Sequence, residues 1–407
     1  MDETYDIAVI GGGLAGTAAA LAVAQRGYKT ALVAPRPAGE DDRTTALMMP
    51  SIELLKQLNV WQSVQEAAAP LRTMRIIDAT SRLVRAPTVT FHASELDIDA
   101  FGYNMPNGPL LTALSAAVDA SDTVIRVPQT AVAVAGRLDR VDIVLGDGAS
   151  ISASLVVGAD GRNSKVREAA GIAAHNWRYP QTAIVLNFEH EYPHADTSNE
   201  FHTEVGPFTQ VPLPGHRSSL VWALAPEDAE AKQAMPAETL ARVIEEKMQS
   251  MLGKATVVSA VQRFAFSGMI ARSFGHGRMV LVGEAGHVFP PIGAQGLNLG
   301  LRDVLDFVSA LDHAGGPANA IAAAQYYNRA RRSDVVSRTA SVDMLNRTLL
   351  HDFLPVQILR SGGLAALSAI APLRVFAMRE GMKPGSGFNL LRRSGHLERD
   401  RPAEARR

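Results

Sequence analysis

Residues Arg278–Asp303 read R-M-V-L-V-G-E-A-G-H-V-F-P-P-I-G-A-Q-G-L-N-L-G-L-R-D, and this stretch decides the fold. Its apolar run Met279–Val282 predicts a buried strand that ends in Gly283 and the carboxylate of Glu284. A loop of prolines and glycines follows, and an amphipathic helix is predicted to begin near Gly296. Because the free N–H groups at a helix start carry partial positive charge, this crevice suits an anion or a polar ring edge.

A glycine-rich turn follows the first predicted strand, Tyr5–Ile10. Gly11, Gly13 and Gly16 have G-x-G-x-x-G spacing and lead into an alanine-rich helix, Thr17–Gln25. In a βαβ unit the first glycine permits the tight turn, the second lets a pyrophosphate approach the backbone, and the third allows close helix–strand packing. The motif predicts dinucleotide binding; the alternative is a glycine turn without a ligand.

The second strand of this unit, Lys29–Val33, ends in Ala34, where a ribose-binding Asp or Glu is expected. Losing a hydrogen bond to a charged group costs about 1.5–3 kcal/mol, which weakens binding about tenfold or more. We therefore expect a dinucleotide that is held loosely and is partly lost on purification.

A third strand end supplies another carboxylate. The apolar run Leu155–Gly158 leads into Asp160-Gly161, and a helix is predicted to open after Asn163 or Ser164 as N-cap. An Asp-Gly pair after a strand is usually only a turn. Its place downstream of a glycine-rich dinucleotide motif makes it a candidate part of the same site.

Composition excludes several classes of protein. A chain of 407 residues suggests about two or three domains, and a formal net charge of -1 gives no preference for nucleic acid. Without cysteine there are no disulfides, thiolate metal sites or cysteine nucleophiles, and we predict no metal site. The N-terminus lacks a secretory signal and no apolar run reaches the roughly 20 residues of a membrane span. These features predict a cytoplasmic protein.

Two blocks in which apolar and polar residues alternate interrupt the series of βαβ units and predict antiparallel sheet. The first block holds Met74–Asp78 and Val84–Phe91. The second holds Thr182–His190, Glu200–Gly206 and Ser218–Leu224, interleaved with prolines. We interpret both as one domain inserted into the dinucleotide-binding domain.

The segments Gly11–Gly16, Gly158–Arg167 and Gly283–Asp303 together resemble the class A flavoprotein monooxygenases with the para-hydroxybenzoate hydroxylase fold. The loop Pro290–Asn298 is similar to the signature of the ubiquinone-biosynthesis hydroxylases, and the resemblance covers roughly residues 5–345. It implies an α/β fold: a Rossmann-like FAD-binding domain, an inserted antiparallel-sheet substrate domain and a helical C-terminus. The predicted limits are 1–72, 105–175 and 270–345 for the FAD-binding domain, 73–104 and 176–269 for the substrate domain, 346–383 for the helical segment and 384–407 for a disordered tail.

The resemblance implies FAD as cofactor, with NADPH or NADH as a transient electron donor. The cofactor-binding residues that it implies are Gly11, Gly13, Leu14, Ala15, Gly16, Arg43, Asn107, Val132, Asp160, Gly283, Glu284, Pro291, Gly293, Gly296, Leu297 and Asn298. Arg43 is alternatively a solvated surface arginine. Glu284 departs from the family, which mostly has aspartate at this position. Because glutamate is longer by one methylene, the distance from the backbone to its contact on the ribityl chain must differ.

The implied reaction is hydroxylation of an aromatic ring in a prenylated phenol or quinol of ubiquinone biosynthesis, with NAD(P)H and O₂. A C4a-hydroperoxyflavin would carry the oxygen and needs a dry pocket, which the loop around Pro291 would close. His287 is a candidate for proton transfer, with a structural role as its alternative. Other hypotheses are a hydroxylase of another phenolic compound and a non-catalytic flavoprotein scaffold of a quinone-biosynthesis complex. A halogenase is disfavoured because its W-x-W-x-I-P motif is absent.

The C-terminal part is basic and amphipathic. A helix is predicted over Tyr326–Met344 with Arg329, Arg331, Arg332 and Arg338 on its polar side. An apolar stretch, Phe353–Met378, follows and is broken by Gly362-Gly363 and Pro372. From Arg347 onward, eleven Lys and Arg stand against five Asp and Glu, a net charge of +6. This pattern predicts either peripheral contact with the inner face of the cytoplasmic membrane or helices packed on the FAD-binding domain. Association with other quinone-biosynthesis proteins is a further expectation.

Overall fold

The computed structural model describes residues 3–36, 41–81, 85–290, 295–350 and 354–382. The described strands form three sheets, of eight, nine and three strands. Helices cover the first two sheets, so the architecture is the mixed α/β fold that the sequence predicts. The predicted tail beyond residue 383 lies outside the described residues, and the domain limits stay predictions.

The described strands, in chain order, are β1 (Glu3–Ile10), β2 (Thr30–Val33), β3 (Thr44–Met48), β4 (Ala69–Pro70), β5 (Thr73–Asp78), β6 (Val89–His92), β7 (Gly102–Pro106), β8 (Val124–Val127), β9 (Ala131–Gly136), β10 (Val141–Leu145), β11 (Ser150–Gly158), β12 (Ala174–His190), β13 (Thr197–His202), β14 (Pro207–Leu213), β15 (Arg217–Leu224), β16 (Ala255–Val257), β17 (Gln262–Ala271), β18 (Gly275–His276), β19 (Met279–Leu281) and β20 (His287–Val288). The described α-helices are α1 (Leu14–Ala24), α2 (Met49–Gln57), α3 (Trp61–Val64), α4 (Asn107–Asp119), α5 (Lys165–Ala169), α6 (Pro226–Gln233), α7 (Ala237–Lys247), α8 (Gln295–Ala314), α9 (Ala320–Leu350), α10 (Leu354–Ala369) and α11 (Ala371–Met382).

The eight-stranded sheet has the order β18-β19-β11-β1-β2-β8, with the β9–β10 hairpin joined to β11. Strands β19, β11, β1, β2 and β8 are mutually parallel. Both faces of β1 are covered, which explains its run of buried apolar residues. The helices α1, α4 and α8 pack on one face around a core that includes Val9, Leu110 and Phe307. This is the Rossmann-like half of the molecule.

The nine-stranded sheet has the order β20-β17-β12-β15-β14-β13-β5-β6, with β16 on β12. Its pairs are antiparallel, as predicted, except that β13 runs parallel to β5. Helices α6 and α7 cover one face through a cluster that includes Phe188, Trp222, Leu240 and Ile244. The small sheet β3-β7-β4 links the two halves.

Several local predictions were wrong. The proline-containing segment between Glu200–Gly206 and Ser218–Leu224 is not predicted to be a strand, but it forms β14. Pro207 is the first residue of this strand, where a missing N–H is tolerated. Thr44 and Thr45 belong to β3, for which β7 supplies an antiparallel partner. Asn107 is the first residue of α4. The glycines at 362 and 363 do not interrupt α10.

The last two helices meet at a sharp corner. No single helix in the described part of the chain has the length and hydropathy to cross a membrane, but Ser361–Ala369 and Ala371–Glu380, at 109° to each other, pass that test as a pair. Val375 and Met378 pack on Phe91 and Leu96. Part of α11 therefore rests on elements inserted between α3 and α4.

Candidate functional site

Three strand ends lie side by side at the centre of the parallel sheet. Ile10 is paired with Gly158, and Gly158 is paired with Leu281, so the three sequence motifs leave the sheet at one edge. In open parallel sheets, ligands bind at the carboxyl ends of the strands. The predicted convergence of distant motifs is therefore present in the structure.

The glycine-rich turn is packed too closely for side chains. A Cβ at Gly11 would lie 2.1 Å from the Ala159 carbonyl oxygen, and one at Gly16 would lie 2.0 Å from the Gly11 carbonyl oxygen. At Gly13, by contrast, a Cβ would meet nothing within 4 Å, and Gly13 precedes α1 without a side-chain cap. The turn thus holds open space at a helix start, where a pyrophosphate fits.

The neighbouring helix starts close the cradle. A Cβ at Gly283 would lie 3.5 Å from Cβ of Ala15, and one at Gly300 would lie 3.3 Å from Cα of Gly283. Leu14 and Ala15, both predicted cofactor residues, begin α1 and are partly buried. Helices α1 and α8 therefore meet over the end of β19.

Asp160 has one satisfied and one orphaned oxygen. Its Oδ2 accepts hydrogen bonds from the backbone N–H of Lys165 (2.7 Å) and of Val166 (3.3 Å). Its Oδ1 is buried and has no hydrogen-bond partner among the described residues. A buried polar atom without a partner calls for one, and a hydroxyl or amide of a bound dinucleotide would provide it. The residues present fit FAD.

Glu284 lies exposed at the mouth of this crevice, with its Oε2 3.5 Å from Nε of Arg162. Arg43 forms a two-bond ion pair with Asp41, with both N···O distances 2.7 Å. Hydrogen bonds and charge from Asp41, with a smaller contribution from Glu284, raise the pKa of Arg43 against the effect of burial. Arg43 is thus paired with a carboxylate, while its side chain is 51% exposed.

Asn107 lies next to the Arg43–Asp41 ion pair and contacts Asp41. Its Oδ1 accepts a hydrogen bond from Oγ1 of Thr45 (2.6 Å), and its Nδ2 donates to Oδ2 of Asp41 (3.3 Å). Burial alone would raise the pKa of Asp41, but Arg43 and Asn107 lower it below its ordinary value. On the other side, the Val132 carbonyl accepts a hydrogen bond from Nζ of Lys165 at 3.0 Å. The roles of Arg43, Asn107 and Val132 toward the cofactor stay predictions.

The start of α8 is fastened through Asn298. Its Oδ1 accepts hydrogen bonds from the Met48 N–H (2.8 Å) and from Ser51 Oγ (2.7 Å), and its Nδ2 donates to the Ala46 carbonyl (2.7 Å). The side chain thus clamps α8 to β3 and α2, which leaves only its backbone for the predicted flavin contact. Gly296 is exposed and Leu297 partly buried. The predicted residues Pro291 and Gly293 lie outside the described residues.

His287 belongs to a buried network of charges. Its Nε2 lies 2.7 Å from Oδ2 of Asp303, which also accepts the Gly283 N–H at 2.7 Å. Oδ1 of Asp303 accepts a hydrogen bond from Nε of Arg331 at 2.7 Å, and Nη1 of Arg331 donates to Asp334 at 2.7 Å. His287, Asp303 and Arg331 are all buried. His287 is therefore anchored beside the crevice, while proton transfer by it stays a prediction.

Neighbouring charges oppose the effect of burial on the pKa values of Arg331, Asp334 and Asp306. Burial would lower the pKa of Arg331, but the charges of Asp303, Asp306 and Asp334 raise it above its ordinary value. Burial would likewise raise the pKa of Asp334, which its arginine neighbours lower. At Asp306 burial dominates and raises the pKa. The pairs compensate one another, as charges inside a protein must.

Sequence reasoning missed the importance of Arg331, which we placed on a polar helix face. The structure buries it completely, because Asp303 on α8 faces it from the other side. A signal was available. Arg331 and Asp334 are three residues apart on one helix, and Asp303 and Asp306 have the same spacing on another.

Comparison with known proteins agrees with this geometry. The family described as FAD binding domain matches residues 4–340. Ubiquinone hydroxylase UbiL of Rhodospirillum rubrum is 32% identical over 391 residues, which cover 94% of this chain and 90% of that protein. The 3-demethoxyubiquinol 3-hydroxylase of Escherichia coli is 31% identical over 390 residues, covering 93% of this chain and 98% of that protein. Among solved structures, p-nitrophenol 4-monooxygenase PnpA of Pseudomonas putida has a TM-score of 0.75 at 17% identity, covering 95% of this chain and 99% of that one.

The FAD binding domain and the hydroxylase relatives above 30% identity place this chain among the class A flavoprotein monooxygenases, enzymes that use FAD. The chain belongs to the ubiquinone-biosynthesis hydroxylase family, as its resemblance to that family predicted.

Proposed function

We propose that this protein hydroxylates an aromatic ring in a prenylated phenol or quinol intermediate of ubiquinone biosynthesis. Two relatives above 30% identity carry names of ubiquinone-pathway hydroxylases, and each aligns over nine-tenths or more of its own length. The observation that carries the proposal in the structure is the meeting of Ile10, Gly158 and Leu281 at one sheet edge. NADPH or NADH would supply electrons and O₂ the oxygen.

FAD, when bound, supplies the oxidation chemistry that the resemblance implies. The protein's own part is orientation and exclusion of water. The open backbone at Gly13 would receive the pyrophosphate, and the orphaned Oδ1 of Asp160 would accept a hydrogen bond from the cofactor. The start of α8, fixed by Asn298, would direct its partial positive charge at the flavin ring, an effect worth up to about 2 kcal/mol when partly buried.

His287 has two candidate roles in this proposal. Its Nε2 lies 2.7 Å from Oδ2 of Asp303, and this hydrogen bond orients the imidazole ring. We expect His287 to hold β20 and the end of β19 together, with proton transfer as the alternative. Changing His287 to Gln separates these roles. Unchanged product yield per NAD(P)H consumed would remove direct proton transfer.

The test of the function uses the FAD-reconstituted full chain, NADPH or NADH, isotopically labelled O₂ and a short-chain prenylated phenol. We expect phenol-stimulated NAD(P)H consumption and incorporation of one labelled oxygen atom into the product. Hydroxylation of simple phenols with no response to prenylated ones would favour a different phenolic substrate. FAD binding without any turnover would favour the scaffold hypothesis.

We also propose that the α10–α11 corner contacts a membrane surface. Ile370 is 50% exposed and Leu373 is 40% exposed at this corner, although both are apolar. A polyprenyl substrate partitions into lipid, so a membrane contact would bring enzyme and substrate together. The test is flotation with anionic liposomes of Ile370→Glu/Leu373→Glu against the control Leu138→Glu, whose side chain is 95% exposed on another surface. Equal flotation of wild type, the double variant and the control would remove the membrane contact.

A further inference from the structure

The nine-stranded sheet has two faces with different surroundings. One face packs on α6 and α7 through residues such as Phe201 and Phe208. The opposite face, here called the inner face, turns toward the FAD-binding half. There, Nδ2 of Asn187 donates to the Asp42 carbonyl at 3.1 Å. Because side chains alternate along a strand, residues next to Phe201 in sequence lie on the inner face.

One row of side chains crosses the inner face from strand to strand. In register order it consists of Val185, Val221, Thr209, Glu200 and Ile76. Every member of the row is partly buried, neither sealed in a core nor fully in solvent. The row therefore lies on the side of the sheet that turns toward the FAD-binding half and remains partly accessible. It is apolar apart from one hydroxyl and one carboxylate, so the carboxylate requires an explanation.

Glu200 has a histidine beside it on the same face. Nε2 of His202 lies 2.7 Å from Oε1 of Glu200, and the side chains are 3% and 22% exposed respectively. Nδ1 of His202 is buried and has no hydrogen-bond partner among the described residues. A contact that served only stability would not need a partly exposed carboxylate or an unsatisfied ring nitrogen.

We propose that Glu200 is a catalytic residue that accepts the hydroxyl proton of the phenolic substrate, with His202 as its positioning residue. This inference rests on the proposed function and deepens it. In the step, the phenol O–H bond breaks, the proton passes to the Glu200 carboxylate, and the electron pair stays on the phenol oxygen. The phenolate so formed is a better nucleophile at its ring carbons toward the oxygen that the flavin reaction delivers.

The apolar neighbours of Glu200 fit the rest of such a substrate. Val185, Val221 and Ile76 offer an apolar surface for a ring and its prenyl substituent, while Glu200 is the one ionisable group of the row. In a binding site of mostly apolar residues, a few well-placed polar groups fix the orientation of a bound ligand. The substrate class is therefore a phenol or hydroquinone with an apolar substituent.

The first experiment needs no turnover. Binding of 2-prenylphenol and of its methyl ether to the FAD-loaded protein is compared by flavin fluorescence for wild type, Glu200→Gln and the control Glu189→Gln, an exposed carboxylate on the same sheet. Wild type and the control should prefer the phenol over the ether, and Glu200→Gln should lower that preference about tenfold. An unchanged preference in Glu200→Gln overturns the inference, whether or not the protein hydroxylates this phenol.

The second experiment measures product formation across pH. General-base catalysis contributes roughly 10²–10⁴ in rate, so Glu200→Gln should form product at least about 100-fold more slowly near neutral pH. Its rate should recover as rising pH ionises the free phenol. His202→Gln should shift the midpoint of the pH profile, which a merely structural change would not do. Absence of product from wild type refutes the proposed function, whereas equal rates and profiles in wild type and Glu200→Gln refute the role of Glu200.

Discussion

Two pairs of helices pack on the sheets by different kinds of contact. The first pair is α8 and α9, and the second pair is α10 and α11. The first pair encloses Arg331, a fully buried arginine with three carboxylate partners. In the described part of the second pair, Arg374 forms an ion pair with Glu95 at 2.7 Å, and a small apolar cluster includes Val375 and Met378. Buried charges tolerate only one arrangement, whereas apolar contacts at a surface can slide. We therefore call the α8–α9 region the fixed side and the α10–α11 region the adjustable side, and expect the second to open more readily.

The sharpest way to break this comparison is Arg331→Met. Removing one partner of a buried ion pair costs about 3–5 kcal/mol because the remaining charges stay buried. We expect a loss of that size in the free energy of unfolding, measured with urea, and weaker FAD binding because Asp303, which contacts Gly283 and His287, loses its arginine partner. Arg332→Met, one residue on and exposed, is the matched control. Equal stability of the two variants would mean that the network is not what fixes the cofactor side.

A second test concerns the open space next to Gly13, at the start of α1. Gly13→Ala adds a Cβ that meets no protein atom within 4 Å but occupies the approach of the pyrophosphate. FAD affinity should fall about tenfold or more, about 1.4 kcal/mol, while the thermal stability of the cofactor-free protein stays the same. Gly362→Ala, also without neighbours, is the control. Unaltered affinity in Gly13→Ala would place the pyrophosphate elsewhere.

Acid should loosen the fixed side through Asp334. Its folded-state pKa is lower than the ordinary value of about 3.9. Its contribution to stability is therefore complete above the unfolded-state pKa and is lost as pH falls through the folded value. Asp334→Asn should cost about 1.5–3 kcal/mol at pH about 7, and the difference from wild type should shrink below pH about 4. A pH-independent difference, measured by urea unfolding, would contradict the charge argument.

The smallest effect is expected at the adjustable side. Arg374→Met removes one ion pair near the surface, worth about 1 kcal/mol or less. Hydrogen exchange in α11 should accelerate, while global unfolding and FAD binding remain as in wild type. Lys56→Met, which breaks the exposed pair with Glu53, controls for loss of a surface charge. Global destabilisation by Arg374→Met as large as that by Arg331→Met would erase the contrast between the two sides.

The sequence carried more information about the cofactor side than about any other region. The glycines at 11, 13 and 16 and the strand ends before Asp160 and Glu284 were predictable because each follows from local geometry. The convergence of their strands could be inferred from the order of motifs. By contrast, the clamp made by Asn298 joins residues about 250 positions apart, and no local pattern indicates it.

The inserted sheet shows the opposite balance. The alternation of apolar and polar residues predicted most of its strands. The parallel pairing of β13 with β5, however, joins two strands that lie more than a hundred residues apart in the chain. That pairing sets the row in which Glu200 lies between Thr209 and Ile76. Neither residue type nor spacing singles out Glu200 in the sequence.

By itself, the sequence determined the α/β class, the dinucleotide cradle and the family, because glycine spacing and strand-to-helix turns are written in short stretches of chain. Only the tertiary structure decided which charges are buried. Arg331 and Arg332 are neighbours with the same side chain, yet one is sealed among carboxylates and the other is in solvent. The reason is that burial depends on what another helix brings to the same place.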